Sequence, residues 1–67
     1  MKPDVNSTYL LKHDVKLFQG LFNGVIIPEG TLVKVLYSDD AVTHCEAING
    51  PCDGLTLVTS ADDLTHV

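Results

Sequence analysis

Residues 25–37 constrain the fold of this chain more than any other segment. They hold an apolar run at 25–27, a Pro-Glu-Gly turn at 28–30 and an alternating segment at 31–37. Proline fixes φ at a turn position, and glycine accepts a φ that a Cβ disfavours. The segment therefore predicts two extended stretches joined by a tight turn.

The alternating part of this segment also predicts one face of a core. Successive strand residues point to opposite faces, so Val33, Val35 and Tyr37 share a face. These residues are β-branched or aromatic, which suits a packed sheet. We therefore expect all three to point inward.

The rest of the chain carries further strand signals between turn residues. Residues 9–18 alternate, although a partial helical stripe leaves a helix open there. Ser60 followed by Asp62 and Asp63 predicts a capped 3₁₀ turn. The other predicted strands are residues 41–48, 55–59 and 64–67.

The length of 67 residues allows one small domain. Residues 1–8 lack periodicity and are predicted to be a flexible arm, with residues 9–67 as the domain. A domain of this size buries only about 60% of the surface of its unfolded chain. Extra stabilisation from a disulfide, a metal or a partner is common at this size.

The order of these elements resembles the small Src-homology-3-like barrels of bacterial and phage proteins. The resemblance rests on the turn and strand of residues 28–36, and on the closing strand and turn of residues 55–64. It implies an all-β fold, a small five-stranded antiparallel barrel with one 3₁₀ turn before the last strand. It also implies a binding or accessory module.

Charge argues against nucleic acid as a direct partner. The chain has nine acidic residues, four lysines and a formal net charge of −5. Binding to phosphates needs several basic side chains in one footprint, whereas Lys2, Lys12, Lys16 and Lys34 are scattered. The chain also has no apolar run long enough for a membrane span and no signal-peptide pattern. A cytoplasmic protein without membrane contact is expected.

The cysteines and histidines do not have the spacing of a zinc site. Six residues separate Cys45 from Cys52, whereas structural zinc sites commonly use closer pairs. Both are expected to be thiols, Cys45 packed in a strand and Cys52 more exposed in a turn. This spacing leads us to expect no metal. No cofactor or enzymatic activity is expected either, because no nucleophile-base motif or phosphate-binding loop occurs.

Acidic residues in turns allow a second functional interpretation. Asp commonly hydrogen-bonds the backbone of turns. The alternative is an acidic inhibitor, phage- or plasmid-borne, that imitates nucleic acid and occupies the basic groove of a nucleic-acid-binding protein. The residues concerned are Asp39, Asp40, Glu46, Asp53, Asp62 and Asp63.

Leu21 and Phe22 are the candidate partner-binding residues. They lie between Gly20 and the Asn23-Gly24 turn signal, where large apolar side chains either cover the core or form an interaction anchor. Combined with the barrel resemblance, they lead to the main expectation. The chain is a non-enzymatic module that binds another protein, or its own copy, through a barrel edge and this loop.

Overall fold

The computed structural model describes residues 3–18, 20–39 and 41–67, and it is all-β. Its strands are β1 (Thr8–Leu11), β2 (Val15–Lys16), β3 (Ile26–Ile27), β4 (Leu32–Ser38), β5 (Thr43–Ala47), β6 (Thr56–Thr59) and β7 (Leu64–His66). Two 3₁₀ turns, Gly20–Phe22 and Ala61–Asp63, complete the elements of the described residues.

These strands form two antiparallel sheets. The larger has the order β6-β5-β4-β1-β7, and β2 pairs with β3 in the smaller. The predicted all-β antiparallel class and the 3₁₀ turn before the last strand are confirmed. The described residues make seven strands in two sheets, and the larger sheet is open, so the five-stranded closed barrel stays a prediction.

The first predicted strand, residues 9–18, is divided into β1 and β2. Between these two strands the chain makes hydrogen bonds to other segments. The Lys12 N–H donates to the Asp63 carbonyl at 2.7 Å. The Asp14 carboxylate accepts the Glu29 N–H at 2.7 Å. These bonds turn the chain after Leu11, so β2 leaves the larger sheet and pairs with β3.

The N-terminal segment runs beside β4. The Asn6 N–H donates to the Val35 carbonyl at 2.7 Å, and the Val35 N–H donates to the Ser7 carbonyl at 3.0 Å. The Tyr9 hydroxyl accepts the Asp4 N–H at 3.2 Å. β1 begins at Thr8, one residue before the predicted domain boundary, and the flexibility of residues 1–8 stays a prediction.

The core lies between the sheets and is built from alternate residues of their strands. Val33, Val35, Cys45 and Ala47 have no exposed surface. The other buried apolar residues are Tyr9, Leu11, Ile27, Cys52, Leu57 and Leu64. Half-buried Val15, Leu17, Val25 and Leu55 pack against this cluster.

The inward orientation predicted for Tyr37 is wrong. Val35 pairs with Cys45 and Tyr37 pairs with His44, so Leu36 is an extra residue in β4. Such a bulge reverses the inside-outside alternation beyond it. Tyr37 is therefore 55% exposed, and its ring centroid lies 5.6 Å from that of His44. Val33 and Val35 are buried as predicted.

A row of buried hydroxyls follows this bulge. Ser38 pairs with Thr43, which pairs with Thr59 on the next strand. The Ser38 and Thr43 hydroxyls lie 3.2 Å apart, and the Thr59 hydroxyl donates to the Asp63 carboxylate at 2.6 Å. These bonds satisfy the buried hydroxyl groups at this end of the core. The bond from Thr59 to Asp63 also connects β6 to the second 3₁₀ turn.

Candidate protein-binding groove

The loop between β2 and β3 has a narrow base that directs its tip outward. The Leu17 N–H donates to the Val25 carbonyl at 2.8 Å, and the Gly24 N–H donates to the Leu17 carbonyl at 2.7 Å. Gly24 adopts φ +92°, which few other residues tolerate. Because Leu17 and Val25 pack against the core, the turn beyond them extends into solvent.

The tip of this loop exposes three large apolar side chains. Leu21 is 98% exposed, Phe18 73% and Phe22 49%. We call these three residues the loop tip. Of the two alternatives for Leu21 and Phe22, a cover over the core and an exposed position, the structure has the exposed one. Their role as partner-binding residues stays a prediction.

A groove of about 720 Å³ separates the loop tip from the larger sheet. Lys16, Leu17 and Gly20 line it together with the loop tip. On the sheet side it is lined by Leu36, His44, Cys45, Thr56, Leu57 and Val58.

The groove follows the edge of β6. Thr56, Leu57 and Val58 are consecutive, yet all three line it. Successive strand residues point to opposite faces, so a surface shared by three in a row lies along the strand edge. β6 is also the end strand of the larger sheet within the described residues. The groove therefore contains an unpaired stretch of backbone, which we call the β6 edge.

The lining is mainly apolar. Among the described lining residues, Lys16 is the permanently charged one, and its Nζ lies 5.9 Å from the centroid of the Phe18 ring. This distance allows a cation–π contact. Burial raises the pKa of the Cys45 thiol to about 11, so that thiol stays neutral. The groove thus offers apolar surface, one cation and open backbone groups.

The predicted acidic residues have diverse surroundings. The Asp39 carboxylate accepts the N–H groups of Ala41 and Val42 at 2.8 and 2.9 Å, as turn chemistry requires. Asp63 accepts the Thr59 hydroxyl. Glu46 is half-buried on β5, opposite Lys34.

The acids nearest to β6 lie on both sides of it. Asp53 is exposed in the turn before the strand, and Asp62 is exposed in the second 3₁₀ turn after it. The Ser60 side chain caps that turn by accepting the Asp62 N–H at 3.2 Å, as predicted. Asp40 lies outside the described residues.

Both cysteines are free thiols, and Cys45 is packed as predicted. The greater exposure predicted for Cys52 is wrong, because it is only 7% exposed. The turn around it bonds Leu55 N–H to the Cys52 carbonyl at 3.0 Å and directs the thiol inward. There its sulfur donates to the Ile26 carbonyl at 3.6 Å.

Two further features are absent from the part of the chain that the structure describes. That part holds no group of three or more Cys, His, Asp or Glu side chains suited to a metal ion. It likewise holds no helix long and apolar enough to cross a membrane.

The groove could not be predicted from the sequence pattern. Leu36 and Val58 come from strands far apart in sequence, and the bulge that displaces Leu36 leaves no turn signal. Phe18 lies in the predicted strand 9–18, although its place before Gly20 could have indicated that it belongs to the loop.

Comparison with protein-family models, with curated proteins and with solved structures gives no match.

Proposed function

We propose that this chain is a small non-enzymatic module that binds another protein in the groove between the loop tip and β6. The observation that carries this proposal is the exposure of Leu21, 98%, and Phe22, 49%, beside an apolar groove. Large exposed apolar side chains that cluster, rather than occur singly, are typical of interaction sites. Aromatic anchors at such sites commonly dominate the binding energy.

We also propose a Src-homology-3-like, barrel-type curvature for the larger sheet. Five flat strands would separate β6 from β7 by about 19 Å, given a spacing of about 4.8 Å. Only Ser60 and a three-residue 3₁₀ turn join these strands, and such a turn rises about 2 Å per residue. A link this short favours a curled sheet in which β6 and β7 approach each other at the ends that the turn joins, Thr59 and Leu64.

The proposal is tested with two variants of the loop tip, Leu21→Ala and Phe22→Ala. Tagged protein is used to recover partners from its native cells, and each recovered partner is then measured against each variant. We expect at least tenfold weaker binding for both, about 1.4 kcal/mol, which is the usual scale of an anchor residue. The melting temperature of Leu21→Ala should stay within about 2 °C, because this side chain is almost fully exposed.

Val5→Ala is the matched control. Val5 is an exposed apolar residue outside the residues that line the groove, so its loss should leave partner binding unchanged. Binding that is unaffected by Leu21→Ala and Phe22→Ala would refute the proposal. So would a loss that only follows a fall in melting temperature.

A further inference from the structure

The β6 edge is suited to pairing with another strand. β6 consists of Thr56, Leu57, Val58 and Thr59, without charge, proline or glycine. Strands at sheet edges are usually protected by charges, prolines or bulges, because their free backbone groups pair readily with another chain. The described residues give β6 one partner, β5.

The hydrogen-bond pattern identifies the free donors of this edge. The Ala47 N–H donates to the Leu55 carbonyl at 2.9 Å. Bonded pairs of an antiparallel ladder recur at every second residue, so the Cys45–Leu57 pair is again a bonded one. The N–H groups of Thr56 and Val58 therefore point away from β5, toward the groove.

Charges at the groove specify different residues for the centre and the ends of a bound segment. Lys16 lines the groove and disfavours a basic residue beside it, whereas the loop tip favours apolar residues. Exposed Asp53 precedes β6 and exposed Asp62 follows it. Each of these residues lies three positions from an end of β6 and outside the groove lining, so a bound segment longer than the four residues of β6, about 13 Å, extends toward them.

The same carboxylates disfavour a second copy of this chain on the edge. Antiparallel pairing of β6 with itself, centred on Leu57 so that Thr56 of each copy faces Val58 of the other, brings Asp53 of each copy to within one residue of the position opposite Asp62 of the other. Like charges placed opposite each other oppose association. The formal net charge of −5 on each copy adds to this repulsion.

We infer that the partner supplies an extended segment with an apolar centre and Lys or Arg at both ends, and that this segment pairs with β6 as an additional strand. Backbone bonds to Thr56 and Val58 give affinity, and the apolar side chains contact the loop tip. This mode is strand addition, in which main-chain bonds bind and side chains select. The inference rests on the proposed function and specifies its partner.

The probe is a displayed library of random twelve-residue peptides, selected on the full chain. We expect the selected peptides to share alternating apolar residues flanked by Lys or Arg. On binding, amide hydrogen exchange at Thr56 and Val58 should slow at least tenfold. The double variant Asp53→Asn/Asp62→Asn should weaken binding about tenfold and reduce its salt dependence.

Two variants test the backbone pairing directly. Val58→Pro removes one free donor and should weaken peptide binding at least tenfold, because proline is tolerated where the N–H of an edge strand faces outward. Val58→Thr keeps the backbone donor and a β-branched side chain, so it should weaken binding less than Val58→Pro does. If Val58→Pro fails to fold, Thr56→Pro at the first residue of β6 replaces it.

The outcomes separate this inference from the proposed function. Peptides that need Leu21 but lack basic ends, or bind Val58→Pro normally, would overturn the inference alone. Peptides insensitive to both Leu21→Ala and Val58→Pro would overturn both, and a library without binders would overturn the inference. A dimer of the free chain that Val58→Pro abolishes would assign the edge to a second copy and also overturn it.

Discussion

Cys45 lies at the middle of β5 with no exposed surface, and its surroundings favour a neutral thiol. Burial raises the pKa of Cys45 from 9.0 to about 11, because a thiolate would lose its hydration there. Reactive cysteines have a low pKa and access to solvent. Cys45 has neither, so its role is packing between Val35 and Leu57, its neighbours across the sheet.

This environment predicts a pH dependence of stability. A pKa raised on folding gives a stability contribution that is complete below about pH 9 and is lost as the pH rises through about 11. We therefore expect the free energy of unfolding of the chain, relative to that of Cys45→Ala, to fall by about 2 kcal/mol between pH 8 and pH 11. Urea unfolding at both pH values measures it. A constant difference between the two proteins would contradict the prediction.

At the scale of the element, the bulge in β4 decides which residues of that strand carry the core. Val35 precedes it and is fully buried, whereas Tyr37 follows it and is 55% exposed. Side-chain size alone would make Tyr37 the greater contributor to stability. The pairing with β5 assigns that contribution to Val35 instead.

We expect Val35→Ala to lower the free energy of unfolding by about 2 kcal/mol or more, since it leaves a cavity in a closed core. Tyr37→Ala should cost less than about 1 kcal/mol, because it removes mainly a partly exposed ring contact with His44. Denaturant unfolding of the two variants compares them. A larger cost for Tyr37→Ala would show that β4 keeps a regular alternation.

The elements that could be predicted from the sequence are those set by local chemistry. The turn at 28–30, the capped turn after Ser60 and the alternating strands depend on neighbouring residues, and the structure has them. The bulge at Leu36 and the inward thiol of Cys52 depend on what lies across the sheet. Local alternation carries no information about either, so both expectations were wrong.

At the scale of the whole molecule, the groove is a product of tertiary structure. Its two walls are the β2–β3 loop and the β6 edge, which are more than thirty residues apart in the sequence. The sequence indicates Leu21 and Phe22 as candidate binding residues because an apolar pair inside a loop is unusual. It could not indicate that an unpaired strand would lie opposite them, because strand order depends on contacts between distant segments.

The exposed edge position of β6 also predicts when the protein aggregates. The chain has an isoelectric point near 4.7, and repulsion between molecules disappears when their net charge does. Uncharged edges then stack copies into fibrils or amorphous precipitate. We expect light scattering to rise on storage near pH 4.7 and to stay low at pH 7. Val58→Lys should suppress this rise, and equal turbidity for both proteins would exclude the edge as its origin.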